Sequence, residues 1–133
     1  MIPVSVSAAN TTEARLQTER RLLAALFRWP RLVELEPHHF VAPAHAALFD
    51  ALQEVQRTWP VESLVDDRGY DDIGLALIAW CLERDQLLHF FRWVGGVRRF
   101  VIEDLMRIEM PAPDEDDLAT MVELVRACPR CGK

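Results

Sequence analysis

The stretch that decides the fold runs from Asp85 to Ala127 and reads DQLLHFFRWVGGVRRFVIEDLMRIEMPAPDEDDLATMVELVRA. From Asp85 to Ile108 its apolar residues recur at helical spacing, which predicts one long helix. Pro111-Ala112-Pro113 ends that helix. The acidic run after these prolines predicts the first turn of a return helix, where the helix dipole favours negative charge. Together the two helices predict a helical hairpin.

The apolar residues of the predicted long helix cover more than one of its faces. A helix that is apolar over such a width buries one face in its own domain and another against a partner. Gly95-Gly96 lies in its middle and costs roughly 1 kcal/mol per glycine relative to alanine. That cost indicates a kink or a close backbone contact. The hairpin is therefore the predicted element of self-association.

The residues before the hairpin predict a small helical head. A helix-start signal at Asn10–Glu13 opens the first helix, and Trp29-Pro30 ends it, because the residue before a proline avoids the α region. A second helix spans about residues 44–58 and stops at Trp59-Pro60. Its apolar stripe leaves Asp50 on the outer, polar face.

A third helix begins at Asp71 or Asp72 and is apolar on most sides, so we expect it near the centre of the core. No period-2 pattern of convincing length occurs, and the predicted fold class is all-α, a small helical head followed by a long helical hairpin. We divide the chain into a loose lead-in at 1–10, a helical domain at 11–110, and a return helix with a cysteine-containing tail at 111–133.

The net charge of −6 and the isoelectric point near 5.2 argue against a surface that follows nucleic-acid phosphates. Arg98-Arg99 is the best candidate for a local basic patch. The first residues have no basic stretch before an apolar run, and no window has the length of a membrane span. Three cysteines, an odd number, fit a reducing compartment. These features predict a cytoplasmic protein.

No catalytic or nucleotide-binding motif is recognisable. The sequence has no H-E-x-x-H, no G-x-S-x-G and no phosphate-binding G-x-x-x-x-G-K-[ST]. We therefore expect no enzyme activity and no nucleotide cofactor. The four histidines lack the spacing of a metal site and are interpreted as surface or connector residues. They are His38, His39, His45 and His89.

Three acidic runs offer carboxylates that a divalent metal ion prefers. They are Asp66-Asp67, Asp71-Asp72 and the run from Asp114 to Asp117. Capping and the helix dipole explain the second and third runs, and the spacing of a calcium-binding loop is not met. The favoured interpretation is structural.

Cys128 and Cys131 form the sharpest chemical motif, in the sequence C-P-R-C-G-K. Two thiolates from one tight turn are half of a structural zinc site. The other two ligands would come from a second chain or from histidines elsewhere. A terminal dithiol without metal is the alternative of equal weight. Two subunits that each contribute both cysteines would make a closed all-thiolate site.

Aromatic and basic residues alternate between Phe90 and Phe100. Such a cluster is compatible with stacking of single-stranded nucleic acid. A helix–helix interface, in which arginine stems pack over aromatic rings, explains it more simply. The acidic balance of the chain also favours the interface.

Several stretches together resemble the N-terminal domain of DnaB-type replicative helicases. Residues 18–26, TERRLLAAL, are similar to the family's opening helix, and residues 39–52, HFVAPAHAALFDAL, are a close match to its next signature. Trp59-Pro60-Val61 occupies the place of a proline before a short helix. Leu75 to Leu82 and Phe91 to Arg99 are similar to the next core helix and to the start of the family's hairpin. The segment around residues 61–70 is shorter than in the family.

The resemblance implies a domain without catalysis, which dimerises through its hairpin, builds the collar of the helicase hexamer and helps to bind primase. It further implies that His45 and Phe40 pack within the head. The ATP-binding motor domain does not follow the match, which covers roughly residues 18–108. We therefore expect a stand-alone replication accessory protein of the kind that a phage or other mobile element carries. It would dock on a helicase or a primase.

The function expected from the sequence is thus a non-enzymatic interaction module of DNA replication that forms a homodimer. The alternative is a zinc-binding, DNA-associated regulatory protein that uses Cys128 and Cys131. The residues expected at the interface lie on the predicted hairpin: Phe90, Phe91, Trp93, Val94, Val97, Arg98, Val101, Leu105, Met121 and Val125.

Overall fold

The computed structural model describes residues 3–67 and 69–126, and this part of the chain is mostly helical, as the sequence predicts. No helix within it has the length and apolar character needed to cross a membrane. Its regular elements are α1 (Pro3–Arg28), α2 (Pro43–Thr58), β1 (Val65–Asp66), β2 (Gly69–Tyr70), α3 (Asp72–Arg84), α4 (Val97–Phe100) and α5 (Glu115–Arg126).

Prolines set the ends of the first two helices. Trp29 and Trp59, each followed by proline, come directly after the last residues of α1 and α2, as predicted. The start of α1 differs from the prediction. The helix already begins at Pro3, so Asn10 lies within it and the lead-in expected at 1–10 is helical from its third residue.

Side-chain caps open the next two long helices. The Asp71 carboxylate accepts a hydrogen bond from Gly74 N at 2.9 Å and starts α3. Asp114 does the same for the Asp117 amide at 2.7 Å, ahead of α5. These acidic runs therefore serve as caps, as the sequence indicates.

A two-residue antiparallel hairpin joins α2 to α3. Val65 pairs with Tyr70 and Asp66 with Gly69. Gly69 has a φ of 119°, and a Cβ there would lie 2.5 Å from Phe27 O. The hairpin thus lies directly against the end of α1, where only glycine fits.

The core lies between α1, α2 and α3. Six successive residues of α1, from Leu22 to Phe27, are buried, so this turn and a half of helix is enclosed on all sides. α2 packs against α3 and α1, and α5 packs mainly on α1. Phe40 is buried against Phe49 of α2, with ring centroids 4.9 Å apart, as expected for a packing residue of the head.

The prediction of one long helix from Asp85 to Ile108 is wrong. α3 ends at Arg84, residues Leu88–Val94 form a 3-10 helix, and α4 continues into a π-helical turn at Val101–Leu105. Gly95 and Gly96 separate the two parts with φ values of 92° and 113°, which interrupt any helix. Two short segments therefore replace the first arm of the predicted hairpin.

This break explains the wide apolar pattern without a partner. Because the two segments change direction at the glycines, half of the residues that would cover two faces of one helix turn into the core of the chain itself, while Leu88, Trp93 and Ile102 stay exposed. α5 packs on α1 and not along a long helix, so it is not the return arm of a hairpin. The fold is all-α without that hairpin.

Candidate interaction surface

A buried carboxylate fixes the head. Glu19 of α1 has 0% of its surface exposed, and its Oε1 lies 2.8 Å from Nδ1 of His45 in α2. Its Oε2 accepts a hydrogen bond from Val41 N at 2.6 Å, and Oε1 accepts a longer one from Ala42 N at 3.4 Å. The side chain thereby holds the segment that leads into α2 against α1. His45 is buried in the head, as the resemblance implies, so the interpretation of this histidine as a surface or connector residue was wrong.

Arg15, one turn before Glu19, extends this contact to α5. Its Nε lies 3.5 Å from Glu19 Oε2, and its guanidinium donates to the carbonyl oxygens of Leu124, Val125 and His39. Carbonyl groups in the last turn of a helix have no partner within the helix. Arg15 therefore satisfies the end of α5 and joins three parts of the fold at one point.

Half of the predicted interface is part of the core. Phe91, Val97, Val101, Leu105 and Val125 are each at most 5% exposed and pack within the chain. Assigning them to a partner surface was wrong, because they turn inward once the helix is broken at the glycines. Of the remaining predicted residues, Phe90, Val94 and Met121 are partly buried, while Trp93 and Arg98 are exposed.

Trp93 is the most exposed large apolar residue of the described chain, at 76%. Its indole Nε1 donates a hydrogen bond to Phe90 O at 2.8 Å, which fixes the base of the ring while its faces stay in solvent. Gly95 ends the 3-10 helix in a left-handed conformation two residues later. Trp93 therefore stands on a short, well-defined segment.

An apolar groove of about 280 Å³ lies beside the start of this segment. It runs between the first turns of α2 and the residues that open the 3-10 helix. We call it the α2 groove; its apolar lining is Pro37, Pro43, Ala46, Ala47, Leu87 and Phe90.

Asp50 is the charged residue of the α2 groove. Within residues 3–67 and 69–126 its carboxylate has no hydrogen bond and no ion pair. Arg84 is instead engaged by Glu54, at 2.5 and 2.6 Å, and by Asp85, at 3.0 Å. Burial, followed by the charges of Asp85 and Glu54, raises the pKa of Asp50. The charges of Arg57 and Arg84 oppose this shift to a smaller extent, but neither arginine forms an ion pair with Asp50 in the described part of the chain.

Arg84 forms a cluster with Glu54, Asp85, Trp80 and Trp59, in which the pKa of the carboxylates is lowered, unlike that of Asp50. Hydrogen bonds from Arg84 lower the pKa of both Glu54 and Asp85. The guanidinium also lies 5.2 Å from the ring of Trp80, which packs edge-on against Trp59. This cluster ties α2 to the end of α3 and is a structural one.

The remaining acidic residues have structural partners or surface positions. Asp72 pairs with Arg98 at 2.9 Å beside an open cavity of about 780 Å³ that Asp66 and Asp67 also line. Nowhere in the described ranges are three or more His, Cys, Asp or Glu side chains placed to hold a metal ion. Cys128 and Cys131, the predicted zinc ligands, lie outside the described residues.

His39 also has a structural role. Its Nδ1 accepts a hydrogen bond from Glu36 N at 2.9 Å and closes the short turn at Pro37–His39. Partial burial and the neighbouring His38 lower its pKa. A neutral ring that accepts at Nδ1 carries its proton on Nε2, so this state does not offer a nitrogen to a metal ion.

Sequence reasoning missed two features of this surface. It placed Asp50 on the outer face of α2, whereas the segment around Leu87 and Phe90 covers that position in part. It also missed the contact between Glu19 and His45. A buried glutamate within a run of leucines is a signal for such a contact, since a buried charge needs a partner.

Comparison of the chain with protein-family models, with curated proteins and with solved structures finds no match. The class that the fold and this surface define is an all-α domain that presents an exposed tryptophan beside an apolar groove.

Proposed function

We propose that this chain is a protein-interaction module of DNA replication, similar to the collar domain of DnaB-type helicases. It acts in the cytoplasm without catalysis of its own, forms a dimer, and binds a replicative helicase or a primase.

The observation that carries the interaction role is the exposure of Trp93. Tryptophan is enriched among the residues that dominate binding energy, because it buries a large area at a small cost in side-chain entropy. At 76% exposure its ring is available to a partner, and the hydrogen bond to Phe90 O limits the conformations it must give up on binding. A site for protein contact fits this arrangement well.

The link to replication comes from the two stretches that most resemble the helicase domain. Residues 18–26 supply Glu19 and residues 39–52 supply His45 and the amide of Val41. The Glu19 carboxylate contacts both of the latter groups, so the two stretches meet in one buried cluster. This agrees with a shared head architecture, in which both signatures serve the same packing.

A pull-down with purified replicative helicase and purified primase tests the proposal. We expect the wild-type chain to retain at least one of them, and Trp93→Ala to weaken retention roughly tenfold or more. Trp80→Ala is the matched control, since Trp80 is also exposed but belongs to the structural cluster with Trp59 and Arg84. This control should bind like the wild type.

Failure of the wild-type chain to retain either protein would contradict the replication role. Equal loss in Trp93→Ala and Trp80→Ala would show that folding, and not a Trp93 surface, explains the result. Circular dichroism of all three proteins separates these cases.

A further inference from the structure

The α2 groove and Trp93 belong to one short stretch of chain. Phe90 lines the groove, and Trp93, three residues later, points its ring into solvent. The groove has the volume for one aromatic side chain and is apolar except at Asp50. A single surface therefore carries both a projecting indole and a receptor of similar size.

The α2 groove and the segment that carries Trp93 also have complementary charges. Asp50, in the groove, has no ion pair within the described part of the chain, and neither has Arg92, which is exposed and precedes Trp93 directly. An indole that entered such a groove would bring an adjacent guanidinium close to the groove's carboxylate. A bidentate arginine–carboxylate pair gains both energy and orientation from this geometry.

We propose that the occupant of the α2 groove is Trp93 of a second copy of this chain, with Arg92 of that copy paired to Asp50. A two-fold dimer requires a self-complementary patch. A projecting Trp93 and a groove lined by Phe90, three residues before it, form such a patch. Each copy then donates one tryptophan and accepts one. The inference rests on the self-association in the proposed function and names the surface that performs it. The helicase or primase then binds this dimer, so Trp93→Ala weakens retention in the pull-down through loss of the dimer.

The interface is expected to be small. Each tryptophan buries about 150–250 Å² of its own surface, and stable interfaces bury about 1,200–2,000 Å² in total. Leu88, which is exposed next to the groove, adds apolar area at the edge. Two reciprocal tryptophans bury less than this, which predicts a weak dimer that dissociates on dilution.

Sedimentation velocity over a dilution series tests this dimer in the full chain. We expect Trp93→Ala and Arg92→Asp each to weaken dimerisation roughly tenfold or more. Both residues are exposed, so neither change should affect folding. Asp50→Arg should weaken the dimer as well, and the double variant Asp50→Arg/Arg92→Asp should restore it, because the reversed pair again matches.

Arg107→Asp is the matched control, since Arg107 is exposed and has no ion pair within the described residues. It should dimerise like the wild type, and in combination with Asp50→Arg it should give no rescue. If Trp93→Ala and Arg92→Asp leave the dimer unchanged, this inference is overturned, but the proposed function is not. A reversed pair that fails to restore association has the same consequence.

The remaining outcomes are equally decisive. A wild-type chain that stays monomeric at high concentration overturns both this inference and the self-association in the proposed function, while the pull-down still decides the helicase and primase contact. If Trp93→Ala abolishes the pull-down but leaves the dimer intact, the groove and Trp93 serve a different protein, and the inference is again overturned.

Discussion

Replacing Glu19 by alanine tests the buried contact that organises the head. The change removes the acceptor of His45 at 2.8 Å and of the Val41 amide at 2.6 Å, and leaves both donors facing the protein interior. Hydrogen bonds to a charged group contribute about 1.5–3 kcal/mol each, and breaking a buried pair by removing one partner costs about 3–5 kcal/mol. The 3.4 Å contact to Ala42 adds little. We expect a loss of about 3–5 kcal/mol.

Such a loss is a large fraction of the roughly 5–15 kcal/mol that stabilises a typical domain. Urea denaturation followed by circular dichroism measures it as a change in midpoint at constant slope. Glu19→Gln keeps the size and one acceptor oxygen but removes the charge, so we expect a smaller loss of about 1–3 kcal/mol. Glu13→Ala, an exposed position of the same helix, should change stability by less than about 0.5 kcal/mol.

A loss below about 1 kcal/mol for Glu19→Ala would refute the reasoning. It would mean that water replaces the carboxylate at Val41 and His45, and that packing alone holds this segment on α1.

Three further changes test other parts of the fold. Phe91→Ala should cost about 3–5 kcal/mol in urea denaturation because the ring is fully buried, whereas Trp93→Ala should leave stability nearly unchanged; similar effects of both would contradict the assignment of Phe91 to the core. Gly69→Ala should lower the melting temperature more than Gly96→Ala. Both have positive φ, but only at Gly69 does a Cβ meet backbone, at 2.5 Å, and equal losses would refute that contact. Because the pKa of Asp50 is raised, the folded state binds the proton of this carboxyl group more tightly than the unfolded state. The stability of the fold therefore decreases as the pH rises from the ordinary pKa of 3.8 through the raised pKa. In the dilute chain Asp50→Asn should therefore melt higher at neutral pH and lose this advantage below the ordinary value of 3.8, and a lower melting point at neutral pH would contradict the sign.

Local signals in the sequence predicted most of the helix boundaries. The prolines after Trp29 and Trp59 act within one or two residues of the helix ends, and the Asp71 carboxylate caps the helix that begins beside it. Each of these signals depends on neighbouring residues alone. A single sequence therefore suffices to place them.

The break at the glycines between Leu88 and Leu105 could not be predicted from neighbouring residues alone. The apolar residues of this segment fit a long helix, and whether Gly95-Gly96 bends a helix or ends it depends on how the residues after the glycines pack. Phe91 and Val94 lie in the 3-10 helix, whereas Val97 and Phe100 lie beyond the glycines in α4, so no single period describes this segment.

The candidate surface was harder to predict because its parts are distant in sequence. The α2 groove combines the turn before α2, the first turns of α2 and the residues around Leu87. Only the tertiary fold brings these segments together. Trp93 and Arg98, two of the predicted interface residues, are exposed, but the five buried ones could be separated from them only after the direction of the chain at the glycines was known.

The contacts of Arg15 have a consequence for local opening. One guanidinium donates to the Leu124 and Val125 carbonyls and lies against the Glu19 carboxylate that accepts from Val41. Detachment of α5 would therefore loosen the carboxylate that protects the Val41 amide. In native-state hydrogen exchange, the amides of α5 and the amide of Val41 should exchange as one cooperative unit, although about eighty residues of chain separate them.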